Sequence, residues 1–307
     1  MTLGEPRPRG RVLELFAGIG GCRAAVDAAH VVAAFDTSAV AAAAYEAFWG
    51  EPLGVRNLEV RKLPWPEADL WWASPPCQPY TVRGAQRDLD DPRARSLLVL
   101  LERLTASRPW AFAMENVPGF VGSRAHDAVR TALASLGYDV REVVACPTEL
   151  GIPMERRRFY LVACQAPLRP ATRPTAAWRP LRSYLDANPA PETAVDSTLL
   201  ARFGGAMHVV DADDPVAAVA TFTSAYGRSP VYAGSYVRDN GVLRRLSTSE
   251  GLRLLGFPEG RTWPDVIAPT RRWGLVGNSL SVDAVRQVLG WLPTAARFIG
   301  DSRPDPR

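Results

Sequence analysis

The segment from Arg11 to Ala29 constrains the fold of this chain more than any other. A short apolar run, Arg11 to Phe16, leads into the turn Ala17-Gly18-Ile19-Gly20-Gly21, and a helical pattern follows from Cys22. A strand, a glycine turn and a helix in this order suit a cofactor bound at the carboxyl edge of a doubly wound sheet. A dinucleotide fingerprint would need glycine at position 23, where this chain has Arg23, so a nicotinamide dehydrogenase is disfavoured.

Apolar strand patterns alternate with helical patterns through the first half of the chain. Further strands are predicted at Val31 to Phe35, Asp69 to Ala73, Trp110 to Met114, Val140 to Ala145 and Arg158 to Ala163. Helices are predicted at Ala39 to Phe48, Ser96 to Thr105 and His126 to Leu136. This alternation predicts an α/β fold with a mostly parallel, doubly wound sheet that is covered on both faces.

The regular alternation ends after Cys164. A proline-rich stretch from Ala166 to Pro191 predicts a linker into a smaller, less regular region, and helical periodicity returns at Thr248 to Leu255 and at Val282 to Leu292. We therefore expect a cofactor-binding domain at 1–165, a small domain at 166–265, and a C-terminal segment, 266–307, that returns to the first domain.

Charge and cysteine content narrow the possible function classes only slightly. The chain has 307 residues, with 36 Lys+Arg against 32 Asp+Glu, and this mild basic excess permits a polyanionic partner without requiring one. The 4 cysteines form no C-x-x-C pair, which argues against a zinc site and a disulfide framework. No apolar run approaches the ~18 residues of a membrane span, and no signal segment is recognisable. We expect a cytoplasmic protein with no metal and no membrane partner.

The most informative segment is Ser74-Pro75-Pro76-Cys77-Gln78-Pro79-Tyr80-Thr81, which follows a predicted strand. Two prolines before a cysteine favour a rigid loop from which a thiol can be aimed. The flanks are polar and proline-rich, whereas a structural cysteine is commonly buried among apolar residues. The pattern therefore predicts that Cys77 is a nucleophile.

Charged residues also stand at the ends of other predicted strands. Glu115 follows an apolar strand, where desolvation would raise its pKa and let it hold a proton near neutrality; a helix cap is the alternative. Asp36 ends the second strand, where an acid can accept hydrogen bonds from a ribose or cap the next helix. Strand alternation places Arg156 and Arg158 on one face and Arg157 on the other.

Together these motifs resemble the cytosine-C5 methyltransferase family. The matching motifs occur in the family's order and are Phe16-Ala17-Gly18-Ile19-Gly20-Gly21, Pro75-Pro76-Cys77-Gln78, Glu115-Asn116-Val117, Arg156-x-Arg158 and Gly277-Asn278-Ser279-Leu280. The resemblance runs from Val12 to Leu292. It implies an S-adenosylmethionine-dependent enzyme with a Rossmann-like fold, whose small domain recognises a nucleic acid, and we expect the enzyme to act as a monomer.

The resemblance also implies residue roles. Cys77 would add to carbon 6 of cytosine, Glu115 would supply a proton at ring nitrogen 3, and Arg156 and Arg158 would hold the base carbonyl and its neighbours. The base would be flipped out of its stack, because carbon 6 is unreachable inside a duplex. The cofactor would contact Phe16, Gly18, Gly20, Asp36, Asn57, Pro76, Asn278 and Ser279. The polynucleotide would contact Gln78, Thr81, Asn116, Thr223 and Tyr226.

The resemblance implies that the polymer carrying the cytosine is DNA or tRNA. Only 79 residues, Gln165 to Leu243, are available for recognition, and Thr221-Phe222-Thr223-Ser224-Ala225-Tyr226-Gly227 resembles the tRNA-methylating branch, as does Leu150-Gly151-Ile152-Pro153. That branch carries cysteine where this chain has Thr221, and bacterial DNA enzymes can show a similar pattern. We take DNA as the main interpretation, tRNA as the alternative, and a catalytically silent nucleic-acid-binding homologue as a remote third.

Two further features are candidates for contacts with nucleic acid. The loop Arg83 to Arg95 follows the Cys77 motif and would close over a flipped base, the alternative being a solvated loop of mixed charge. Tyr80, Tyr226 and Tyr232 are candidates for stacking on bases, and packing is the alternative for each.

Overall fold

The computed structural model describes residues 9–27, 29–59, 64–81, 84, 86–171 and 176–299. Its strands are β1 (Arg11–Leu15), β2 (His30–Asp36), β3 (Gly54–Val55), β4 (Leu70–Ala73), β5 (Ala111–Asn116), β6 (Asp139–Ala145), β7 (Met154–Glu155), β8 (Arg158–Cys164), β9 (Val209–Asp211), β10 (Val219–Ala220), β11 (Tyr236–Asp239) and β12 (Val242–Arg244). Within the described ranges, seven strands form the central sheet in the order β3-β2-β1-β4-β5-β8-β6. All of its pairings are parallel except those of β8, which runs antiparallel to β5 and β6.

Helices cover both faces of this sheet. The α-helices of the described residues are α1 (Gly21–Ala25), α2 (Ala39–Trp49), α3 (Arg95–Ser107), α4 (Arg124–Ser135), α5 (Ser197–Phe203), α6 (Thr248–Leu254), α7 (Pro269–Gly277) and α8 (Val282–Leu289). Alternate strand residues enter different cores: in β5, Ala111 and Ala113 pack with α1 and α8, whereas Phe112 and Met114 pack with α3 and α4. The predicted doubly wound α/β fold is therefore confirmed.

Local sequence signals explain where several of these helices begin and end. Ser38 caps α2 by accepting a hydrogen bond from the Ala41 amide at 3.1 Å, and Gly50 ends the helix with a φ of 67°. The helix predicted from Cys22 to Ala29 is shorter than expected, because α1 ends at Ala25 and the Val26 amide, which donates to the Cys22 carbonyl, caps it. None of the helices within the described ranges has the length and apolar character needed to cross a membrane.

The region after β8 packs closely on the central sheet. Strands β9, β11 and β12 form a small sheet, and β10 pairs with β7. Leu168 and Leu181, from the stretch predicted to be a linker, share one core cluster with Val12 and Trp72 of the central sheet, so this stretch is docked along part of its length. Helix α7, which the sequence did not predict, supplies Trp273 to the same cluster.

Candidate active site

A cavity of about 360 Å³ lies at the carboxyl ends of β1, β2, β4 and β5. This volume is within the range of about 300–1,000 Å³ found for small-molecule sites. Most of the residues predicted to form the site line it: Phe16, Gly18, Asp36, Pro76, Cys77, Gln78, Glu115, Arg156, Arg158, Asn278 and Ser279. Chain segments far apart in sequence therefore meet at the sheet edge where the fold places a ligand.

The loop that carries Cys77 is fastened to its neighbours. Asn116, at the end of β5, donates from Nδ2 to the Pro75 carbonyl at 3.3 Å. A Cβ on Gly119 would lie 2.3 Å from the Tyr80 carbonyl oxygen, so the turn after β5 contacts the Cys77 loop backbone directly. These contacts, together with the prolines, hold the thiol at the cavity. Asn116 was predicted to bind substrate; here its side chain braces the loop.

Glu115 and Arg158 form an ion pair inside the cavity. Arg158 begins β8 and Glu115 lies near the end of β5, and the Arg158 Nε atom is 3.3 Å from Glu115 Oε1, with only 16% and 13% of the two side chains exposed. Arg157 faces away and is exposed, while Arg156 and Arg158 line the cavity, as strand alternation predicts.

Burial changes the pKa values of Glu115 and Cys77, and the charge of Glu115 also affects the pKa of Cys77. Desolvation raises the pKa of Glu115, and the positive charges of Arg158 and Arg156 oppose the rise. Desolvation also raises the pKa of the Cys77 thiol, the Glu115 charge raises it further, and Arg158 opposes both. When Glu115 takes up a proton, its repulsion of the thiolate disappears. The state in which Glu115 is protonated is therefore also the state that favours ionisation of Cys77.

Arg156 is bound by backbone rather than by acids. Its guanidinium donates to the carbonyls of Phe222 and Gly277, at 3.4 and 3.0 Å, and also to the Ser279 carbonyl. Burial and the neighbouring Arg158 lower its pKa to about 9. Arg156 thus ties the region after β10 and the C-terminal end of α7 to the cavity wall, while the base contact that the resemblance implies stays a prediction.

The glycine turn after β1 has the backbone conformation that its glycines permit. Gly18 and Gly20 have φ values of 54° and 83°. A Cβ on Gly18 would meet no described atom within 4 Å, so this part of the turn opens to the cavity. Asp36 holds the turn, since its carboxylate accepts hydrogen bonds from the amides of Gly18 and Ser38, both at 2.9 Å. Asp36 therefore joins the glycine turn to the segment that begins α2.

Glu14, which the sequence analysis missed, also lines the cavity. It lies in β1, is 1% exposed, and accepts hydrogen bonds from the Cys22 and Arg23 amides at 3.0 and 3.3 Å and from the Tyr45 hydroxyl at 3.3 Å. Desolvation, only partly opposed by these donors, raises its pKa to about 8. An acid in the middle of an apolar strand was the signal that could have identified it.

Several predicted contact residues lie away from the cavity lining. Gly20 contacts Tyr45 and Trp49 instead of the cavity. Asn57 is exposed and caps its own turn by accepting from the Glu59 amide at 2.9 Å. Thr81 donates to the Gln78 carbonyl at 3.3 Å.

The two predicted contacts from the small domain also lie outside the cavity lining. Thr223 is exposed. Tyr226 is only 2% exposed, and its hydroxyl both donates to the Ser235 carbonyl at 2.5 Å and accepts from the Leu246 amide at 2.9 Å. The Tyr226 ring packs 4.4 Å from Trp273 between centroids, so it is a core residue and presents no face on which a base could stack.

The described part of the charged loop is docked on α4. Asp88 accepts hydrogen bonds from the amides of Arg124 and Ala125 at 2.7 and 3.2 Å, and Arg124 pairs with Asp90 at 2.7 Å. The loop acids therefore satisfy the first turn of a helix. Arg83, which was assigned to this loop, lies outside the described residues.

Comparisons with known proteins agree with this geometry. The tRNA (cytosine(38)-C(5))-methyltransferase of Schizosaccharomyces pombe is 27% identical and covers 94% of this chain and 98% of its own length. The type II methyltransferase M.MspI of Moraxella is also 27% identical, over 96% of this chain and 73% of its own length. The crystal structure of the S. pombe Dnmt2 methyltransferase matches with a TM-score of 0.80 and 27% identity, over 92% of this chain and 98% of that one.

The family description C-5 cytosine-specific DNA methylase matches residues 10–198, which is more than half of the chain. The matched range includes the glycine turn, Cys77, Glu115 and Arg158, which meet at the cavity. The chain belongs to the C-5 cytosine-specific DNA methylase family.

Proposed function

We propose that this protein transfers a methyl group from S-adenosylmethionine to carbon 5 of a cytosine in a polynucleotide, with Cys77 as the nucleophile. The observation that carries this proposal is the convergence of Cys77, Glu115 and Arg158 on one cavity that the glycine turn and Asp36 also line. This reaction requires a cofactor pocket with an acid, a cation and a thiol next to it.

The residues of the glycine turn suit S-adenosylmethionine, a cofactor that enzymes of this family generally use. Gly18 leaves open space beside its backbone, and the Asp36 carboxylate lines the same cavity. Phe16 offers an apolar surface, and Asn278 and Ser279 add polar groups to the lining. When bound, S-adenosylmethionine supplies an electrophilic sulfonium methyl group.

The protein side chains would activate the cytosine. The Cys77 thiolate adds to carbon 6 while Glu115 holds a proton at ring nitrogen 3, and carbon 5 thereby becomes nucleophilic. Arg158 fixes the Glu115 carboxyl group and binds the base carbonyl. After carbon 5 has gained the methyl group, its proton leaves and the carbon 6–sulfur bond breaks, which restores the aromatic ring and frees Cys77.

We favour tRNA as the polymer. The S. pombe relative, whose name specifies tRNA, shares 98% of its length with this chain, whereas M.MspI shares 73% of its own. The segment from Gln165 to Leu243 also offers little surface for reading a run of base pairs. DNA is the second candidate, because the family description names DNA and M.MspI aligns with 96% of this chain.

Transfer of labelled methyl from S-adenosylmethionine to purified tRNA and, in parallel, to duplex DNA tests both parts of the proposal. We expect the wild type to label tRNA and the Cys77→Ser variant to label neither polymer. Once the target cytosine has been mapped, its replacement by uracil should abolish labelling of the tRNA. Label in DNA alone would make DNA the substrate and leave the chemistry intact. Label in neither polymer would contradict the proposed function.

A further inference from the structure

His126, in the first turn of α4, is a buried histidine whose two ring nitrogens both form hydrogen bonds. The residue is 6% exposed. The Gly122 amide donates to its Nδ1 atom at 3.2 Å, and its Nε2 atom lies 3.0 Å from Oε1 of Glu142. Because Nδ1 accepts a hydrogen bond, the ring proton is on Nε2 and is donated to the Glu142 carboxylate. The two bonds therefore select one tautomer of the imidazole and fix the orientation of its ring.

The hydrogen bond from Gly122 is separate from the capping of α4. Ser123 caps the helix, because its side chain accepts from the His126 amide at 3.1 Å. Gly122 precedes this cap and belongs to residues 117–123, which connect β5 to α4 and which we call the β5–α4 turn. The helix can therefore begin without the bond from Gly122, and that bond instead holds the β5–α4 turn in place.

The β5–α4 turn packs directly on the Cys77 loop. A Cβ on Gly119 would lie 2.3 Å from the Tyr80 carbonyl oxygen. The Phe120 and Tyr80 rings, which are 0% and 3% exposed, meet edge to face with 5.0 Å between their centroids. The Tyr80 amide in turn donates to the Cys77 carbonyl at 2.9 Å. The position of the β5–α4 turn therefore affects the position of the backbone that carries the thiol.

The ring of His126 makes a second kind of contact with the same turn. It packs edge to face against Phe120 and against Phe159 of β8, at 5.7 and 5.4 Å between centroids. Any aromatic ring at this position can contribute such packing. The acceptor for the Gly122 amide, in contrast, requires a polar atom at the place of Nδ1. Substitutions can therefore separate the two contributions.

We propose that His126 is a positioning residue, whose hydrogen bond from Gly122 holds the β5–α4 turn against the Cys77 loop and so keeps the thiol where it adds to carbon 6 of the cytosine. The effect on methyl transfer rests on the proposed function. A displacement of about 1 Å caused by a change far from the reacting atoms can cost about a hundredfold in rate. Loss of this hydrogen bond should therefore be measurable in kcat.

The variants His126→Phe and His126→Asn separate the hydrogen bond from the ring. Phenylalanine keeps an aromatic ring beside Phe120 but has no acceptor, whereas asparagine has Oδ1 in place of Nδ1 but has no ring. At a temperature below the Tm of every variant, His126→Phe should have a kcat about tenfold lower than the wild type and an unchanged KM for S-adenosylmethionine. His126→Asn should keep a kcat near that of the wild type, although its Tm should fall further because the ring packing is lost.

Alkylation of Cys77 by iodoacetamide is a second readout, which requires no turnover. It reports on Cys77 because the other three cysteines are buried. Burial raises the pKa of the Cys77 thiol, so a loop that is released from the turn should expose the thiol and lower this pKa. At a fixed pH, alkylation should therefore be faster in His126→Phe than in the wild type, and His126→Asn should react at the wild-type rate.

Val129→Ala is the matched control, because Val129 lies one turn further along α4, is 0% exposed and belongs to the same core cluster as Phe120. This change should lower the Tm and leave kcat and the alkylation rate unaltered. Wild-type kcat and alkylation in His126→Phe, an equal loss of kcat in His126→Asn, or equal changes in Val129→Ala would overturn the proposal. Failure of the wild type to methylate any polynucleotide would instead contradict the proposed function, because the alkylation comparison does not require transfer.

Discussion

Two clusters of buried charge in this molecule use the same residue types for different ends. At the cavity, Glu115 meets Arg158 through one contact of 3.3 Å. At the end of β12, Arg244, which is 1% exposed, binds Asp239 at 2.8 Å and Glu250 at 2.8 Å, and makes further hydrogen bonds to both acids. The first cluster faces a cavity and is loosely paired, whereas the second is closed and saturated with hydrogen bonds.

The difference between the two clusters shows that buried charged side chains can serve either catalysis or stability. Where an acid is well paired, as Asp239 is with Arg244, the hydrogen bonds outweigh desolvation and the pKa of Asp239 is lowered. Where pairing is incomplete, desolvation dominates, and the pKa values of Glu115 and Cys77 rise. A buried charge with a cavity beside it and a raised pKa therefore marks the functional cluster.

The largest expected effect comes from removing the thiol of the cavity cluster. Cys77→Ala should lower methyl transfer by about 10³-fold or more, because no other described group at the cavity can add to carbon 6. The free energy of unfolding should change little, because Cys77 is partly exposed. Cys164→Ala, a change at a buried cysteine outside the cavity lining, is the control and should retain transfer. Equal losses of methyl transfer in Cys77→Ala and Cys164→Ala would contradict the special role assigned to the thiol at the cavity.

Glu115→Gln should lower kcat by about 10²–10⁴-fold, the contribution of a positioned acid. The same change removes the negative charge that raises the pKa of Cys77, so that pKa should fall. At a fixed pH below the pKa of Cys77, iodoacetamide should therefore alkylate Cys77 faster in Glu115→Gln than in the wild type. Alkylation is selective because Cys22, Cys146 and Cys164 are buried. Slower alkylation would contradict the coupling between acid and nucleophile.

In the saturated cluster we expect a loss of stability instead. Arg244→Met should lower the free energy of unfolding by about 3–5 kcal/mol, because it leaves Glu250 buried without its cation and leaves Asp239 with Arg182 as its remaining cationic partner. Arg158→Met should cost much less, since Glu115 can take up a proton. Urea unfolding followed by circular dichroism measures both. A larger loss for Arg158→Met would reverse the roles assigned to the two clusters.

The effect of Glu14 should be visible as a pH dependence of the free energy of unfolding. The pKa of Glu14 is raised to about 8 in the folded protein, so folding favours its protonated form. The stability that this form contributes is fully present below the unfolded pKa near 4.5. It is lost as the pH rises toward 8. Glu14→Gln should flatten the decline of unfolding free energy over this window by up to about 1.4 kcal/mol per pH unit. Identical slopes in wild type and variant would show that Glu14 does not titrate between these limits.

Local sequence was enough to predict much of the fold and the chemical centre. The strands and helices of the first half have regular periodicity, and Cys77, Glu115 and Asp36 each stand in a short motif at a strand end. Helix α7, the burial of Tyr226 and the role of Arg156 depend on contacts between segments far apart in the chain, which no local pattern encodes. Glu14 was missed because its hydrogen-bond partners lie on α1 and α2, outside its own strand.

Trapping the covalent adduct tests the central claim most directly. With cytosine replaced by 5-fluorocytosine in the tRNA, carbon 5 cannot release its substituent as a proton, so the bond between carbon 6 and sulfur should persist after methyl transfer. Mass spectrometry of the digested complex should find the nucleotide on the peptide that contains Cys77, only when S-adenosylmethionine is present. Transfer to unmodified tRNA combined with an adduct on another residue, or with no adduct at all, would contradict the account.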